Sequence, residues 1–155
     1  MELVIFVGLQ AAGKTTFYRE RFAATHDIVS KDLFPNNRHR ERRQRQLIGE
    51  ALEAGRSVVV DNTNATAEDR APLINLGREL GARIVGYYFE SGVPDSMARN
   101  RHCVGKAMVP NVAIAATAKK LRPPSLDEGF DQLFAVRIAE AGAFEVRQIS
   151  RDEPA

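Results

Sequence analysis

The sequence predicts an α/β protein of three layers, with a central parallel sheet covered by helices on both faces. Three observations carry this. Strand-like and helix-like segments alternate along the chain, the pattern of parallel strands joined by helical crossovers. The runs Leu3-Val4-Ile5-Phe6-Val7 and Val58-Val59-Val60 are continuously apolar, as strands buried on both faces require. The first run passes directly through Gly8-Leu9-Gln10-Ala11-Ala12-Gly13-Lys14-Thr15 into a helical segment, so a glycine-bounded loop joins strand to helix.

The elements follow in order. Strand one is read over residues 2–7. Thr16-Phe17-Tyr18-Arg19-Glu20-Arg21-Phe22 starts a helix read to about residue 25. Ile28-Val29-Ser30 is a short second strand. Residues 38–54 form a helix stopped by Gly55. Ser57 to Asp61 is a third strand. Thr66 stands as an N-cap, with Glu68 and Asp69 in an acidic first turn, and this helix ends near Gly81. Residues 83–89 are a fourth strand. Pro94 suits the first turn of a helix running to about Cys103. Residues 104–110 form a loop, and Pro110 opens a helix to about Leu121. Pro123-Pro124 breaks the chain, and residues 134–138 and 144–149 are late strands. Residues 1–150 are read as one domain and residues 151–155 as a tail.

The 155 residues suffice for one core, and 44% hydrophobic with 27% charged residues is ordinary for a globular protein. A net charge of +2 does not by itself argue for nucleic acid. One cysteine, Cys103, excludes an internal disulfide and suits a reducing compartment. No apolar stretch approaches about 18 residues, so no membrane partner is expected and a cytoplasmic location is.

The loop is a complete G-x-x-x-x-G-K-[ST] pattern in strand-to-helix context, which turns the pattern into a claim about phosphate. Its backbone N–H groups wrap a polyphosphate, and the helix N-terminus adds partial positive charge there. Gly8, Gln10, Ala11, Ala12, Gly13, Lys14, Thr15 and Thr16 are the expected nucleotide-binding residues. Lys14 reaches the β and γ phosphates, and the Thr15 hydroxyl holds a magnesium ion. Ligands of such sheets bind beyond the carboxyl ends of the strands. Asp61 closes the third strand, where it serves magnesium directly or through water, or else merely turns the chain with Asn62. Asn64 offers an amide at the same edge. Asp32 follows the second strand. It can accept the proton of an attacking hydroxyl, or act as an N-cap or turn residue before Pro35-Asn36-Asn37. Phosphoryl transfer also needs cations over the equatorial oxygens. Arg99, Arg101, His102 and Lys106 lie on the helix end and loop that form a lid, unless they only complement a helix C-terminus. Arg38, Arg40, Arg42, Arg43 and Arg45 form a second basic cluster, either a track for a nucleic-acid backbone or a solvated helix face.

With Lys31-Asp32 after strand two and Asp61-Asn62-Thr63-Asn64 after strand three, the chain resembles the polynucleotide kinase branch of P-loop kinases. Val109-Pro110 and the segment Pro123-Pro124-Ser125-Leu126-Asp127-Glu128-Gly129-Phe130 are similar to the kinase domain of polynucleotide kinase/phosphatases, and the likeness spans residues 2–138. The resemblance implies the P-loop NTPase fold in its nucleoside-kinase-like form. It also implies transfer of the γ-phosphate of ATP to a hydroxyl, in the best-known members the 5′-hydroxyl of DNA or RNA. Asp32 matches the family's general base, Lys14 and Thr15 its phosphate and magnesium contacts, and Asp61 the acid ending its third strand. Two positions depart. A lid arginine is often found where this chain has Cys103 or Val104. An arginine gripping the acceptor phosphate three residues beyond the base is replaced by Pro35.

The resulting expectation is an ATP- and Mg-dependent kinase with Lys14, Asp32 and Arg101 as catalytic residues. Arg99 and Lys106 stand in the lid, and Thr15 and Asp61 at the metal. The partners are ATP and a single strand or end of nucleic acid. A kinase of a sugar, nucleoside or other metabolite, and a non-catalytic ATP-binding switch, are the competing readings.

Overall fold

The computed structural model describes residues 1–101, 109–139 and 142–151. The elements in order are β1 (Glu2–Val7), α1 (Lys14–Arg21), β2 (His26–Val29), a 3-10 turn (Lys31–Leu33), α2 (Arg40–Glu53) and β3 (Ser57–Val60). They continue with α3 (Ala67–Glu79), β4 (Arg83–Phe89), α4 (Val93–Asn100), α5 (Asn111–Lys120), a second 3-10 turn (Leu126–Glu128), β5 (Gln132–Ile138) and β6 (Phe144–Gln148). They build one six-stranded sheet in the order β2-β3-β1-β4-β5-β6. The first five strands are mutually parallel. The α/β architecture with a central parallel sheet is therefore the observed one. β6 runs antiparallel to β5. Only residues 139–143 separate the two, and a parallel crossover needs a dozen or more.

β1 is the centre of the molecule, paired on both sides, with Leu3 to Val7 fully buried. Alternation along it feeds two cores. Leu3, Ile5 and Val7 meet Ile48 and Leu52 of α2 and Leu73, Ile74 and Leu76 of α3. Val4 and Phe6 meet Phe17 of α1 on the other face. That second core is aromatic: Phe17 stands 5.4 Å from Phe89 and 5.0 Å from Phe144, ring centre to ring centre and edge to face. Such pairs add about 0.5–1.5 kcal/mol each beyond area burial. They seat α1, and with it the loop that precedes α1, on the sheet.

The N-cap read at Thr66 is present as a full capping box. Its hydroxyl accepts from Asp69 N (3.1 Å) while the Asp69 carboxylate accepts from Thr66 N (3.3 Å). α3 lies close to the sheet because Gly77 has no side chain. A Cβ there would sit 2.4 Å from Ile84 Cδ1 and 2.9 Å from Leu3 Cδ2. Gly77→Ala is expected to destabilise the fold by about 1–3 kcal/mol, the usual cost of overpacking a filled core. Urea denaturation measures it, and an unchanged midpoint would contradict the close approach.

Candidate active site

The loop between β1 and α1 is shaped by glycines that cannot be replaced cheaply. Gly13 caps α1 in the left-handed region at φ 89°, and a Cβ on Gly8 would lie 2.9 Å from Phe89 Cβ. Ala11 also takes a positive φ, 59°. No side chain caps the start of α1, so its first-turn N–H groups stay available to an anion.

Lys14, the first residue of α1, is only 8% exposed. Its Nζ donates to the Gly8 carbonyl (2.8 Å) and the Leu9 carbonyl (3.1 Å), so it arches over the loop. Burial lowers its pKa to about 8, against the opposing pull of Asp61 and Asp32. Thr15 Oγ1 donates to Asp61 Oδ2 at 2.9 Å. The two side chains read as magnesium contacts are thus neighbours, although 46 residues apart. Asp61 is buried, and burial pushes its carboxyl pKa up while Lys14 and Thr15 draw it down. Its N–H donates to the Val29 carbonyl at 2.9 Å, which extends the β2–β3 pairing into the site.

Asp32 sits in the 3-10 turn after β2, exposed. The cap of that turn is Ser30, whose hydroxyl accepts from Asp32 N at 3.3 Å. The Asp32 carboxylate therefore does not do the capping. Among the described residues it has no hydrogen bond or ion pair, and its charge acts on both Lys14 and Asp61.

The Asn62 and Asn64 amides hold backbone together. Asn62 Oδ1 accepts from Lys31 N at 3.0 Å and its Nδ2 donates to Gln44 of α2, so one side chain ties β3, the Asp32 turn and α2. Asn64, buried and at φ 43°, donates to the Phe6 carbonyl at 2.8 Å. Gly8 N donates to Thr63 O at 3.0 Å, which fastens the phosphate loop to the segment after β3.

From the other side, Arg99 of α4 donates to Ser91 Oγ (2.9 Å) and to the Ala11 carbonyl (3.5 Å), at the crest of the loop. Gln10 Nε2 donates to Thr117 Oγ1 of α5 at 2.9 Å. Arg101 follows α4 as its C-cap and is exposed. Thr16 is exposed, and Ala12 is buried in the aromatic core. Asn100 holds the base of this region, its Oδ1 accepting from Val109 N at 2.8 Å and its Nδ2 donating to the Val109 carbonyl. Lys106, His102 and Cys103 lie outside the described residues, as do most of the loop read at 104–110 and the tail after residue 151.

One constellation was not singled out from sequence. Arg70 of α3 is 1% exposed. Its Nη1 donates to the carbonyls of Asn64 (2.9 Å) and Arg122 (3.0 Å). Its Nε and Nη2 engage Glu128 at 2.7 and 3.1 Å. Glu128 also completes a capping box with Ser125. The S-x-x-E spacing of Ser125 and Glu128 was a visible signal for the cap, but nothing local marks Arg70 as its partner. The pair anchors residues 122–128 to the segment behind Asp61. Removing one partner of a buried pair strands the other charge, a loss of about 3–5 kcal/mol. Glu128→Ala should reach the lower end, because the Glu128 side chain is 18% exposed. Denaturant unfolding reads this directly, and a loss below about 1 kcal/mol, as for a surface pair, would contradict the anchoring.

The structure thus gathers Lys14, Thr15, Asp61 and Asp32 at the carboxyl edge of the sheet, with Arg99 against the loop. A cavity of about 440 Å³ opens among Tyr18, His26, Asp27, Glu50 and Arg56. It runs along β2 from His26 to Val29, and Lys14, Thr15, Asp32 and Asp61 do not line it. Among the described residues no helix is long and apolar enough to cross a membrane.

The chain is 26% identical over 135 residues to the bifunctional polynucleotide phosphatase/kinase of Schizosaccharomyces pombe. The match covers 83% of this chain and 32% of that protein, so the chain spans about a third of its relative's length. In structure it is similar to a gluconokinase from Sinorhizobium meliloti 1021, with a TM-score of 0.63, 18% identity, and coverage of 90% of this chain and 83% of that one. It is also similar to the AvrRxo1-ORF1:-ORF2 complex solved with ATP, with a TM-score of 0.74, 14% identity, and coverage of 99% and 60%. At these identities the structural likenesses speak for the fold. The family model described as AAA domain matches residues 3–124, the stretch that holds the phosphate loop and every acidic residue gathered at its edge. The chain therefore belongs to the AAA domain family.

Proposed function

We propose that this chain is an ATP- and magnesium-dependent kinase that transfers the γ-phosphate to a hydroxyl, the 5′-hydroxyl of a polynucleotide. The observation that carries the reading is the convergence of Lys14, Thr15, Asp61 and Asp32, from α1, β3 and the turn after β2, on one phosphate loop. ATP lies on residues 8–16, where α1 presents free N–H groups. Lys14 exchanges its loop carbonyls for the β and γ phosphate oxygens. Thr15 and Asp61 offer one hydroxyl and one carboxylate 2.9 Å apart, oxygen donors of the kind that would hold a magnesium ion. A magnesium ion held by Thr15 and Asp61 would supply positive charge against the phosphate oxygens. Asp32 accepts the proton of the acceptor hydroxyl as that oxygen bonds to the γ-phosphorus and the bond to the β–γ bridging oxygen breaks. Arg101, with Arg99 or Lys106, supplies positive charge over the transferring group. The polynucleotide acceptor is favoured by the sequence likeness to a polynucleotide phosphatase/kinase.

The test is label transfer from γ-labelled ATP to a panel of 5′-hydroxyl oligonucleotides, nucleosides and gluconate. Label on the oligonucleotide end is the expected result. Label confined to gluconate or a nucleoside would replace the acceptor, and ATP binding without transfer to any acceptor would leave a nucleotide-binding switch.

Lys14 also gives ATP binding a pH dependence. Its pKa of about 8 belongs to the unliganded, folded chain, below the ordinary 10.5. The unfolded chain therefore holds more protons between those values, and on this group's account unliganded stability rises with pH across that window. ATP acts oppositely. Phosphate against the ammonium restores its proton, so binding takes up a proton once pH exceeds about 8. Affinity is then expected to fall towards tenfold per pH unit. Titration calorimetry in buffers of different ionisation heat measures the uptake, and none between pH 8 and 10 would contradict the assignment.

A further inference from the structure

We infer that the acceptor is a single polynucleotide strand, DNA or RNA, whose backbone leaves Asp32 across Leu33 and runs along Arg38, Arg40 and Arg42. This rests on the kinase reading above and assigns it a binding track.

The direction follows from topology. The phosphate loop follows β1, Asp61 follows β3 and Asp32 follows β2, and in the sheet these strands stand in the order β1, β3, β2 towards one edge. The chemistry is therefore laid out in a row, phosphate donor first and proton acceptor last. β2 is the outermost strand on that side. An acceptor whose hydroxyl meets Asp32 carries the rest of its mass outward past β2, where residues 33–39 and the first turn of α2 stand. α2 begins at this same edge, since Gln44 holds Asn62 beside Asp61.

A cluster of exposed arginines stands there. Arg38, Arg40 and Arg42 are exposed, and among the described residues none of their side chains has a hydrogen bond or ion pair. Several other surface arginines are mated to acids: Arg56 to Asp27 at 2.9 Å, Arg78 to Asp131 at 3.5 Å, Arg147 to Glu90 at 3.1 Å, and Arg137 to Glu145. Arg19, Arg83 and Arg101 are also exposed without an acid among the described residues, but they are scattered over the fold, whereas Arg38, Arg40 and Arg42 stand within five residues. The one acid within the basic run, Glu41, is taken by Lys31. Helix energetics do not explain the arginines. Cations in a first turn oppose the helix dipole, and α3 shows the favourable choice with Glu68 and Asp69 in the same place. Beside them Leu33, next to Asp32, is 64% exposed, with the half-buried Phe34 following. Three unmated guanidinium groups and an apolar step match a chain of phosphates carrying sugars and bases. A sugar or nucleoside would end at Asp32 and touch none of them.

The experiment compares the parent with the triple variant Arg38→Gln, Arg40→Gln, Arg42→Gln. The acceptors are a nucleoside 3′-monophosphate and 5′-hydroxyl single strands of two, four and twelve nucleotides, as DNA and as RNA. ATP affinity serves as the check that both proteins are folded. For the parent, kcat/KM should rise with length and fall with salt. The substitutions should flatten the length dependence, lowering kcat/KM on the twelve-mer by at least about tenfold. They should also make the log–log salt slope shallower by about 2, since each phosphate contact on a single strand contributes about 0.7. Substituting the acid-mated Arg56 and Arg137 instead should leave the salt slope unchanged. Equal length and salt dependence in parent and triple variant, with the twelve-mer still labelled, would overturn the track and leave the kinase reading standing. Label on small acceptors alone would overturn both.

Discussion

Lys14→Ala is expected to lower phosphoryl transfer by about 10²–10³, the loss found when one preorganised donor to developing charge is removed. Two effects combine. Lys14 brings a cation to the centre of the loop, held over the Gly8 and Leu9 carbonyls that phosphate oxygens would replace as its partners. The same cation is the main charge drawing the buried Asp61 carboxyl downward. Without it only the Thr15 hydroxyl opposes burial and Asp32, which push the Asp61 carboxyl pKa up, so magnesium would compete less well with protons for that carboxylate. Lys14→Arg should not rescue the activity. A planar guanidinium does not fit where a compact ammonium bonds two adjacent carbonyls. Single-turnover transfer at saturating ATP, with ATP affinity measured separately, resolves the two contributions. Transfer at the parent rate would remove the loop from the mechanism.

Asp32→Asn separates proton transfer from nucleotide binding. The carboxylate is exposed and unbonded among the described residues, and Ser30 caps its turn. The amide therefore costs the fold little. ATP affinity should persist, because the contacts of the loop do not involve this side chain. Transfer should fall by about 10²–10⁴, the usual contribution of a positioned base. The check is kcat set against KM for ATP. A raised KM with undiminished kcat would assign Asp32 to binding and leave the reaction without this base.

Much of the architecture was legible because it is written in short-range pattern. β1, β3 and β4 were placed within a residue of their observed ends, since apolar strand formers run unbroken there and polar or turn residues flank them. Thr66 was legible as a cap because S/T-x-x-D/E is a local motif. Elsewhere the ends were misplaced for tertiary reasons. β2 was read at 28–30 but spans His26–Val29, because its extent is set by pairing with Ser57–Val60 rather than by its own polar start. α1 was carried to about residue 25 and stops at Arg21. The helix-forming Ala23 and Ala24 give no stop signal, whereas Phe22 turns into the aromatic core. α4 was carried to Cys103 and ends at Asn100, whose side chain folds back on Val109.

The phosphate loop, the strand and helix on either side of it, and the acids that follow strands two and three could be had from residue order alone. Each depends on spacing within one segment and on the rule that parallel sheets gather their loops at one edge. Folding in three dimensions decided the rest. It set Arg99 against the loop, joined Arg70 to Glu128, reversed β6, and left Arg38, Arg40 and Arg42 without acids among the described residues. These depend on which distant side chains meet. A contact spanning 58 residues, such as that of Arg70 with Glu128, leaves no periodic trace in the intervening chain, because only packing brings its ends together.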